Sequence, residues 1–298
     1  MARSVVLLVN PAAGGGRGKS RAAALAPLLV QAGAIVTVRV AHSPEESADA
    51  AHEIVTSGAD VLGVVGGDGT VNLVLPALRG ARTALAIIPT GTGDDNARTF
   101  GHDLKGETAM AEMIASGPVR DVDLGIATAD GVERPFLSVL CAGFDSAVNA
   151  RANALTWPGG QARYVRAVLE TLYSFSPIGY TLSIDGGEPR ELNGMLMAVG
   201  NGPTYGGGMK VCVGADPADG LLNITILNEL SKAGFLRAFP KVYSGTFTDH
   251  PAVEQLQARS LRIQGDAVAF ADGEHFGDLP VDIRLEPGAL RVVSPSAD

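Results

Sequence analysis

Gly63-Val64-Val65-Gly66-Gly67-Asp68-Gly69-Thr70-Val71-Asn72 is an apolar run that breaks into three glycines enclosing one carboxylate. Val61 to Val65 has the unbroken apolar character of a strand buried on both faces of a parallel sheet. Glycines directly after such a strand let the chain turn sharply with its amides uncovered. In an open α/β sheet, ligands bind beyond the carboxyl ends of the strands, where helix-opening N–H groups suit phosphate oxygens. The stretch therefore reads as an anion site at Gly66 to Thr70, followed by a helix from Val71 to Leu78. Asp68 is chemically out of place there unless a divalent cation lies between it and the phosphate, or a donor chain holds it.

Working outward, Ser4 to Val9 is another apolar strand, stopped by Asn10-Pro11 and followed by small residues through Gly18. Gly14-Gly15-Gly16-Arg17-Gly18-Lys19-Ser20 is not a Walker loop, because that pattern needs glycine five places before Gly18 and position 13 is Ala13. Arg17, Lys19 and Arg21 are either phosphate contacts or solvated charges opening a helix. Helical spacing covers Ala22 to Ala32, with Pro27 close to its start, and Ile35 to Val40 is the next strand. Ser43-Pro44-Glu45-Glu46 reads as a cap, a proline in the first helical position and acids in the first turn. Pro89 ends the strand Ala84 to Ile88, and a helix closes over Met110 to Ser116.

From about Ile126 the pattern changes to short alternating strands: Phe136 to Cys141, Tyr180 to Ile184, Met195 to Gly200, Leu221 to Leu227 and Leu261 to Ile263. Asp185-Gly186-Gly187 is a hairpin turn. Helices interrupt at Tyr164 to Phe175 and near Ser231 to Phe239. The fold class is thus a three-layer α/β nucleotide-binding domain with a mostly parallel sheet over 1–125, joined to a mainly antiparallel β-sandwich over 126–284.

With 298 residues, 46% of them hydrophobic, the chain can bury two cores. A net charge of −9 weighs against nucleic acid as a partner, which would need a basic face. Cys141 and Cys212 lie in apolar runs without metal or redox spacing, as buried thiols of a reducing cytoplasm do. No apolar run approaches a membrane span, and the chain enters its first strand after one arginine without a signal-peptide pattern, so a soluble cytoplasmic protein is expected.

Gly66-Gly67-Asp68-Gly69-Thr70 resembles the GGDGT signature of the diacylglycerol and sphingosine lipid kinases. Asn10-Pro11-Ala12-Ala13-Gly14 matches that family's opening phosphate loop, Pro89-Thr90-Gly91-Thr92 its third nucleotide-site loop, and Asp272-Gly273-Glu274 its late catalytic motif. A lone GGDG would be weak, since phosphofructokinases and NAD kinases look similar there; here four motifs follow in the family's order across nearly the whole chain.

The resemblance implies ATP and Mg2+ as cofactors and a lipid alcohol, diacylglycerol first, as the phosphate acceptor. Asn10, Pro11, Ala12, Ala13 and Gly14, then Gly66 to Thr70 with Val71 and Asn72, and the Thr92 hydroxyl would hold the nucleotide. Asp68, Asp95 and Asp123 would hold Mg2+ directly or through water. Glu274, aided by Asp272, would act as general base on the lipid hydroxyl. A second, structural ion would take the Asp219 carboxylate and the Asp216 and Leu221 carbonyls; an Asp-Gly turn without an ion is the other reading. Asn201-Gly202 and Tyr205 to Met209 match a segment lining the cleft.

In the family, the segment after 285 returns to the first domain. Asp94 stands where the family has asparagine and is expected to point to solvent, a compensating cation being the alternative. His42 and Ser43 stand where the family offers a threonine to the nucleotide. Phe235 to Tyr243 mixes aromatics with cations as an interfacial segment would, consistent with peripheral contact at the inner face of the membrane, although core packing accounts for most of these rings. A homodimer is compatible with the resemblance. The competing readings are an NAD-kinase-like phosphotransferase and a catalytically silent lipid or nucleotide sensor; the intact Asp68, Asp272 and Glu274 weigh against the sensor.

Overall fold

The apolar runs of the first part of the chain become parallel strands separated by helices. A computed structural model describes residues 2–91, 93–103, 105–157 and 161–295, and the chain divides into two units, 1–124 with 286–298 and 125–285. The first unit begins β1 (Ser4–Val9), α1 (Ala13–Gln31), β2 (Ile35–Val40), α2 (Pro44–Thr56), β3 (Val61–Gly66), α3 (Asp68–Leu78), β4 (Ala84–Pro89), α4 (Asp95–Thr99) and α5 (Glu107–Ser116). All four strands are parallel, in the order β4-β3-β1-β2. Helices α1 and α5 pack together, as do α2 and α3, giving the three layers. Strands β3 and β4 are buried along their whole lengths, as their unbroken apolar sequences require, while the edge strand β2 is largely exposed.

Local chemistry sets the helix boundaries. Ser43 Oγ accepts from Glu46 N at 3.1 Å while the Glu46 carboxylate accepts from His42 N at 2.6 Å, a reciprocal cap that uses the two residues standing where the family has its threonine. Helix α1 departs from the expected Ala22 to Ala32. It is preceded by a left-handed turn at Gly14, Gly15 and Gly16 (φ 61°, 70° and 92°), so the regular coil starts at Arg17 and Pro27 sits well inside it. Arg17 anchors that start, its Nε donating to Gly14 O at 2.8 Å.

The second unit takes up the chain within β5 (Val119–Ala129) and continues with β6 (Val132–Phe136), β7 (Val139–Gly143), α6 (Phe144–Ala154), α7 (Gln161–Ser174), β8 (Ile178–Ile184), β9 (Arg190–Gly200), β10 (Leu222–Asn228) and α8 (Lys232–Ala238). Two 3-10 turns, Phe239–Val242 and Thr246–Asp249, lead to β11 (Val253–Ala258), β12 (Ser260–Gly265), β13 (Val268–Ala271), β14 (Glu274–Asp278) and β15 (Val281–Val293). The pairings within this unit are antiparallel, with β9 serving β8 along its first half, β7 along its second and β10 on its other side. Phe136, Tyr180, Met197, Ile224, Ile263 and Phe276 belong to the sandwich core, and a second core under α6, α7 and α8 holds Phe144, Val148, Leu172 and Phe235. The single strand expected over Phe136 to Cys141 is two, parted at Leu137-Ser138, whose amides are claimed by a side chain described below. Both cysteines are buried and unbridged. Among the described residues, no helix is long and apolar enough to cross a membrane.

Strand β15 runs from the second unit into the first, where Val292 pairs in parallel with Leu85 of β4. The fully buried His102 spans this addition: its Nδ1 accepts from Ile87 N at 3.0 Å and its Nε2–H donates to Val293 O at 2.6 Å. Burial pushes the imidazole pKa down to about 4 from 6.5. A depressed folded-state pKa means the stabilisation is complete above pH 6.5 and is lost as pH falls toward 4. Urea unfolding across this window should show the native chain losing on the order of 3 kcal/mol more than His102→Gln, whose amide keeps a donor and an acceptor without titrating.

Candidate active site

Because β1, β3 and β4 are neighbours and parallel, the three segments leaving their carboxyl ends emerge side by side. Asn10 N donates to Val65 O at 3.2 Å and Thr90 N to Gly66 O at 3.0 Å, which ties each outer segment to the central one. The Asn10 side chain accepts from Ala12 N at 3.0 Å and donates to Thr70 Oγ1 at 3.3 Å. Gly14 has no room for a side chain, since a Cβ there would lie 2.1 Å from Thr90 O. Residues 10–14, 66–70, 90, 91, 93 and 94 therefore form one backbone platform. Several amides expected to be bare are spent inside it: Ala13 N goes to Asn10 O, and Thr70 N and Val71 N go to Gly67 O. The Val71 side chain is fully buried in α3. Asp68 and Gly69 open α3 with N–H groups that have no intrahelical acceptor by position. Thr92 lies outside the described residues.

A cavity of about 350 Å³ adjoins the platform, lined by Arg17, Arg21, Thr90, Asp94, Arg98 and Asp103 among others. Arg17 Nη2 donates to Thr90 O at 3.1 Å, Arg21 bonds Pro89 O and pairs with Glu107 at 3.1 Å, and Arg98 Nη2 donates to Gly93 O at 2.5 Å. Three guanidinium groups, each held by a main-chain carbonyl, border the cavity together with the Asp94 and Asp103 side chains, and a guanidinium fork is suited to phosphate oxygens. Thr90 Oγ1 is buried there without a hydrogen-bond partner, and Asn96, also fully buried, leaves both amide atoms unbonded. Thr90 lay within a recognised motif; Asn96 and Asp103 had no sequence signal beyond their proximity to it.

The acids of the first unit are held individually. Asp68 accepts from Asp95 N at 3.2 Å and Asn96 N at 3.0 Å, capping α4 from the first turn of α3. Asp95 pairs through Oδ1 with Arg98 at 2.7 Å. A Cβ built on Gly93 would lie 3.2 Å from Asp68 Oδ2 and 3.6 Å from Asp95 Oδ2, so both carboxylates border the Gly93 backbone. Among the described residues, no group of three or more His, Cys, Asp or Glu side chains is gathered closely enough to hold a metal ion; Mg2+ itself asks for only one or two carboxylates and completes its shell with water and phosphate. Asp123 Oδ1 accepts from Gly288 N at 2.8 Å. Asp94 does not point to solvent as expected. It is left-handed (φ 50°), half-buried, and its Oδ1 accepts from Gly91 N at 3.0 Å; burial first, and the neighbouring Asp68 second, hold its carboxyl above the usual range.

In the second unit, Asp272 and Gly273 are both left-handed (φ 48° and 84°) at the tip of the β13–β14 hairpin, matching a type I′ turn. The buried Asp272 carboxylate accepts from Leu137 N, Ser138 N and Val139 N at 2.7, 2.8 and 2.9 Å. Ser138 Oγ donates to Thr204 O at 2.6 Å, Asn201 Nδ2 donates to Leu137 O at 2.9 Å, and Gly202 N reaches Ser138 O. Asp272 thus joins the hairpin tip to the Asn201-Gly202 segment, and Glu274, exposed at the start of β14, is the carboxylate of this motif left facing water. Elsewhere in this unit, Asp216 Oδ1 accepts from Ala218 N and Asp219 Oδ1 from Leu221 N, while Asp216 O accepts from Asp219 N, hydrogen bonds that describe a polar turn.

The protein thus joins a parallel α/β unit with an arginine-bordered cavity to an antiparallel β-sandwich. Residues 4–127 match the family described as the diacylglycerol kinase catalytic domain, and residues 138–294 match the YegS C-terminal NAD kinase beta sandwich-like domain. A diacylglycerol kinase of Mycobacterium tuberculosis is 36% identical over 98% of this chain and 95% of its own. The crystal structure of a diacylglycerol kinase from Bacillus anthracis superposes with a TM-score of 0.72 at 22% identity, covering 98% of this chain and 97% of that one. An NAD kinase from Archaeoglobus fulgidus shares the fold with a TM-score of 0.52 at 15% identity over 99% of this chain and 94% of its own. The chain belongs to the diacylglycerol kinase family of lipid kinases.

The two acids of the hairpin should separate cleanly in denaturation experiments. Asp272→Ala leaves three buried N–H donors without acceptors and should cost about 3 kcal/mol or more. Glu274→Gln, at an exposed position, should stay within about 0.5 kcal/mol of the native chain in the same urea titration.

Proposed function

We propose that the protein transfers the γ-phosphate of ATP to the hydroxyl of a lipid alcohol, with diacylglycerol the leading acceptor and phosphatidic acid its product. The observation that carries this reading is the gathering of Arg17, Arg21 and Arg98 around one cavity at the parallel strand ends, in a chain of net charge −9. Phosphoryl transfer asks a protein to position the donor, neutralise charge on the phosphate oxygens and align the acceptor. The guanidinium groups and the α3 amides of Asp68 and Gly69 receive phosphate oxygens, with Asn10 to Gly14 shaping the floor. Asp68 and Asp95 would hold Mg2+, with Asp123 as a further acid of the set, and the ion would supply positive charge to the phosphate oxygens.

Glu274 takes the proton from the acceptor hydroxyl. An exposed carboxylate is a weak base for an alcohol, so the proton leaves late, as the oxygen bonds to phosphorus. Asp272, its oxygens engaged by three amides, acts as a positioning residue by fixing the turn from which Glu274 projects. On this reading the lipid acceptor is met at the inner face of the membrane, from the cytoplasmic side.

Incubation with ATP, Mg2+, a detergent-dispersed panel of lipid alcohols and NAD should place phosphate on a lipid. Phosphorylation of NAD without detergent would replace this reading by the dinucleotide one, and turnover of no acceptor would leave a sensor. Asp68→Ala should reduce turnover by about 100-fold or more, and undiminished activity removes Asp68 from the mechanism. Glu274→Gln should lower kcat by about 100-fold while KM for ATP moves less than about threefold; an equal loss in both would assign the residue to binding.

A further inference from the structure

Glu274 opens a strand that has little to hold it. Among the described strands β14 pairs with β13 alone, so its other edge has no strand beside it. That one pairing is also interrupted: Ala269 faces Gly277 and Phe270 faces His275, which leaves Phe276 as the extra residue of a β-bulge. Main-chain groups at a bulge lose ladder partners, and the strand bends there. Here an arginine takes two of them. Arg134 of β6 donates through Nη1 to His275 O at 3.3 Å and through Nη2 to Phe276 O, and its guanidinium carbon lies 4.2 Å from the centre of the Phe276 ring. The β5–β6 hairpin passes close enough to β14 for this reach, since a Cβ on Gly277 would lie 3.6 Å from Ala129 Cβ.

Other arginines of this unit pair with acids at the surface: Arg190 with Glu254, Arg262 with Asp282, and Arg284 with Glu133. Arg134 has no carboxylate partner among the described residues, and both arms of its fork go to main-chain oxygens. A charged donor on a carbonyl makes a stronger bond than a neutral one, and the ring beneath adds a cation–π contact. The same segment grips the hairpin a second time, because the amides of Leu137, Ser138 and Val139 hold the Asp272 carboxylate. Residues 134–139 thus give amides to the residue two places before Glu274 and a guanidinium to the two residues after it. The Glu274 side chain has no hydrogen bond of its own among the described residues, so its place is set by the backbone on either side.

We propose that Arg134 is a positioning residue for the phosphoryl transfer: clamped on the carbonyls of His275 and Phe276, it aims the Glu274 carboxylate from one side as Asp272 does from the other. This rests on the reading of Glu274 as the general base. A base must lie within hydrogen-bond reach of the hydroxyl it deprotonates, and a displacement of about 1 Å costs on the order of 100-fold in rate. The guanidinium takes no part in the proton transfer itself. It stops the bulged edge strand from moving the carboxylate out of reach.

Arg134→Met keeps an unbranched stem against Phe276 and removes both donors. With dioctanoylglycerol in detergent micelles, ATP and Mg2+, it should lower kcat at least about tenfold while KM for ATP moves less than about threefold. The double variant discriminates. Once Glu274→Gln has removed the base, adding Arg134→Met should change the residual kcat by less than about twofold; an equal loss in both backgrounds would make Arg134 a purely structural residue and overturn the proposal. Arg134→Lys keeps a cation over the ring without the fork, should retain an intermediate kcat, and carries the comparison where Arg134→Met fails to fold. Amide exchange reads the clamp without turnover: in either variant, residues 273–278 should exchange at least about tenfold faster while β12 is unchanged. Unaltered exchange in that hairpin, or native kcat in both variants, overturns the proposal and leaves Glu274 its role. Undiminished kcat in Glu274→Gln alone removes the general base, and this proposal with it.

Discussion

The first unit depends on how little space separates the chain where three adjacent parallel strands end. Main-chain atoms of one turn sit where a methyl group of the next would have to go: Thr90 O occupies the place of a Gly14 side chain, and a Cβ on Gly91 would be 3.2 Å from Gly67 Cα. Asn10 links the turns through its own backbone and side chain to Val65 and Thr70. The turns cannot move independently, and the arginines that face the cavity are bonded to carbonyls of the same turns. Packing of the sheet, spacing of the loops and placement of positive charge are therefore one structural fact.

The acidic residues extend this economy. Asp68 caps the short helix α4, Asp95 holds Arg98, Asp123 receives the Gly288 amide and Asp272 receives three amides. Each carboxylate has a fixed orientation before any ligand arrives, so little reorganisation is needed when charge develops nearby. The same arrangement couples function to stability, because an acid removed to test chemistry also removes a partner from buried or strained backbone.

What the sequence made legible were features written in local pattern. The apolar runs at Ser4 to Val9, Val61 to Val65 and Ala84 to Ile88 read as buried strands, the motif at 66–70 fell where β3 hands over to α3, and the motif at 272–274 fell on a turn because glycine and aspartate tolerate left-handed backbone. Long-range hydrogen bonding was not legible. Nothing near His102 announces that it will bridge Ile87 and Val293, nothing near Leu137 tells that a carboxylate from residue 272 will split a strand there, and nothing in the Asp94 segment says that its side chain folds back on Gly91.

Strand β15 gives the first unit a discontinuous origin, since its sheet is completed by residues made after the entire sandwich. On a ribosome, the sheet segment from Ser4 to Pro89 emerges long before Val293, leaving the outer side of β4 an open edge and the His102 ring with one of its two main-chain partners. A nascent fragment of this protein would thus present an unfinished, apolar border until β15 emerges, which makes the interval between the two halves of the unit its period of greatest exposure to chaperones and proteases.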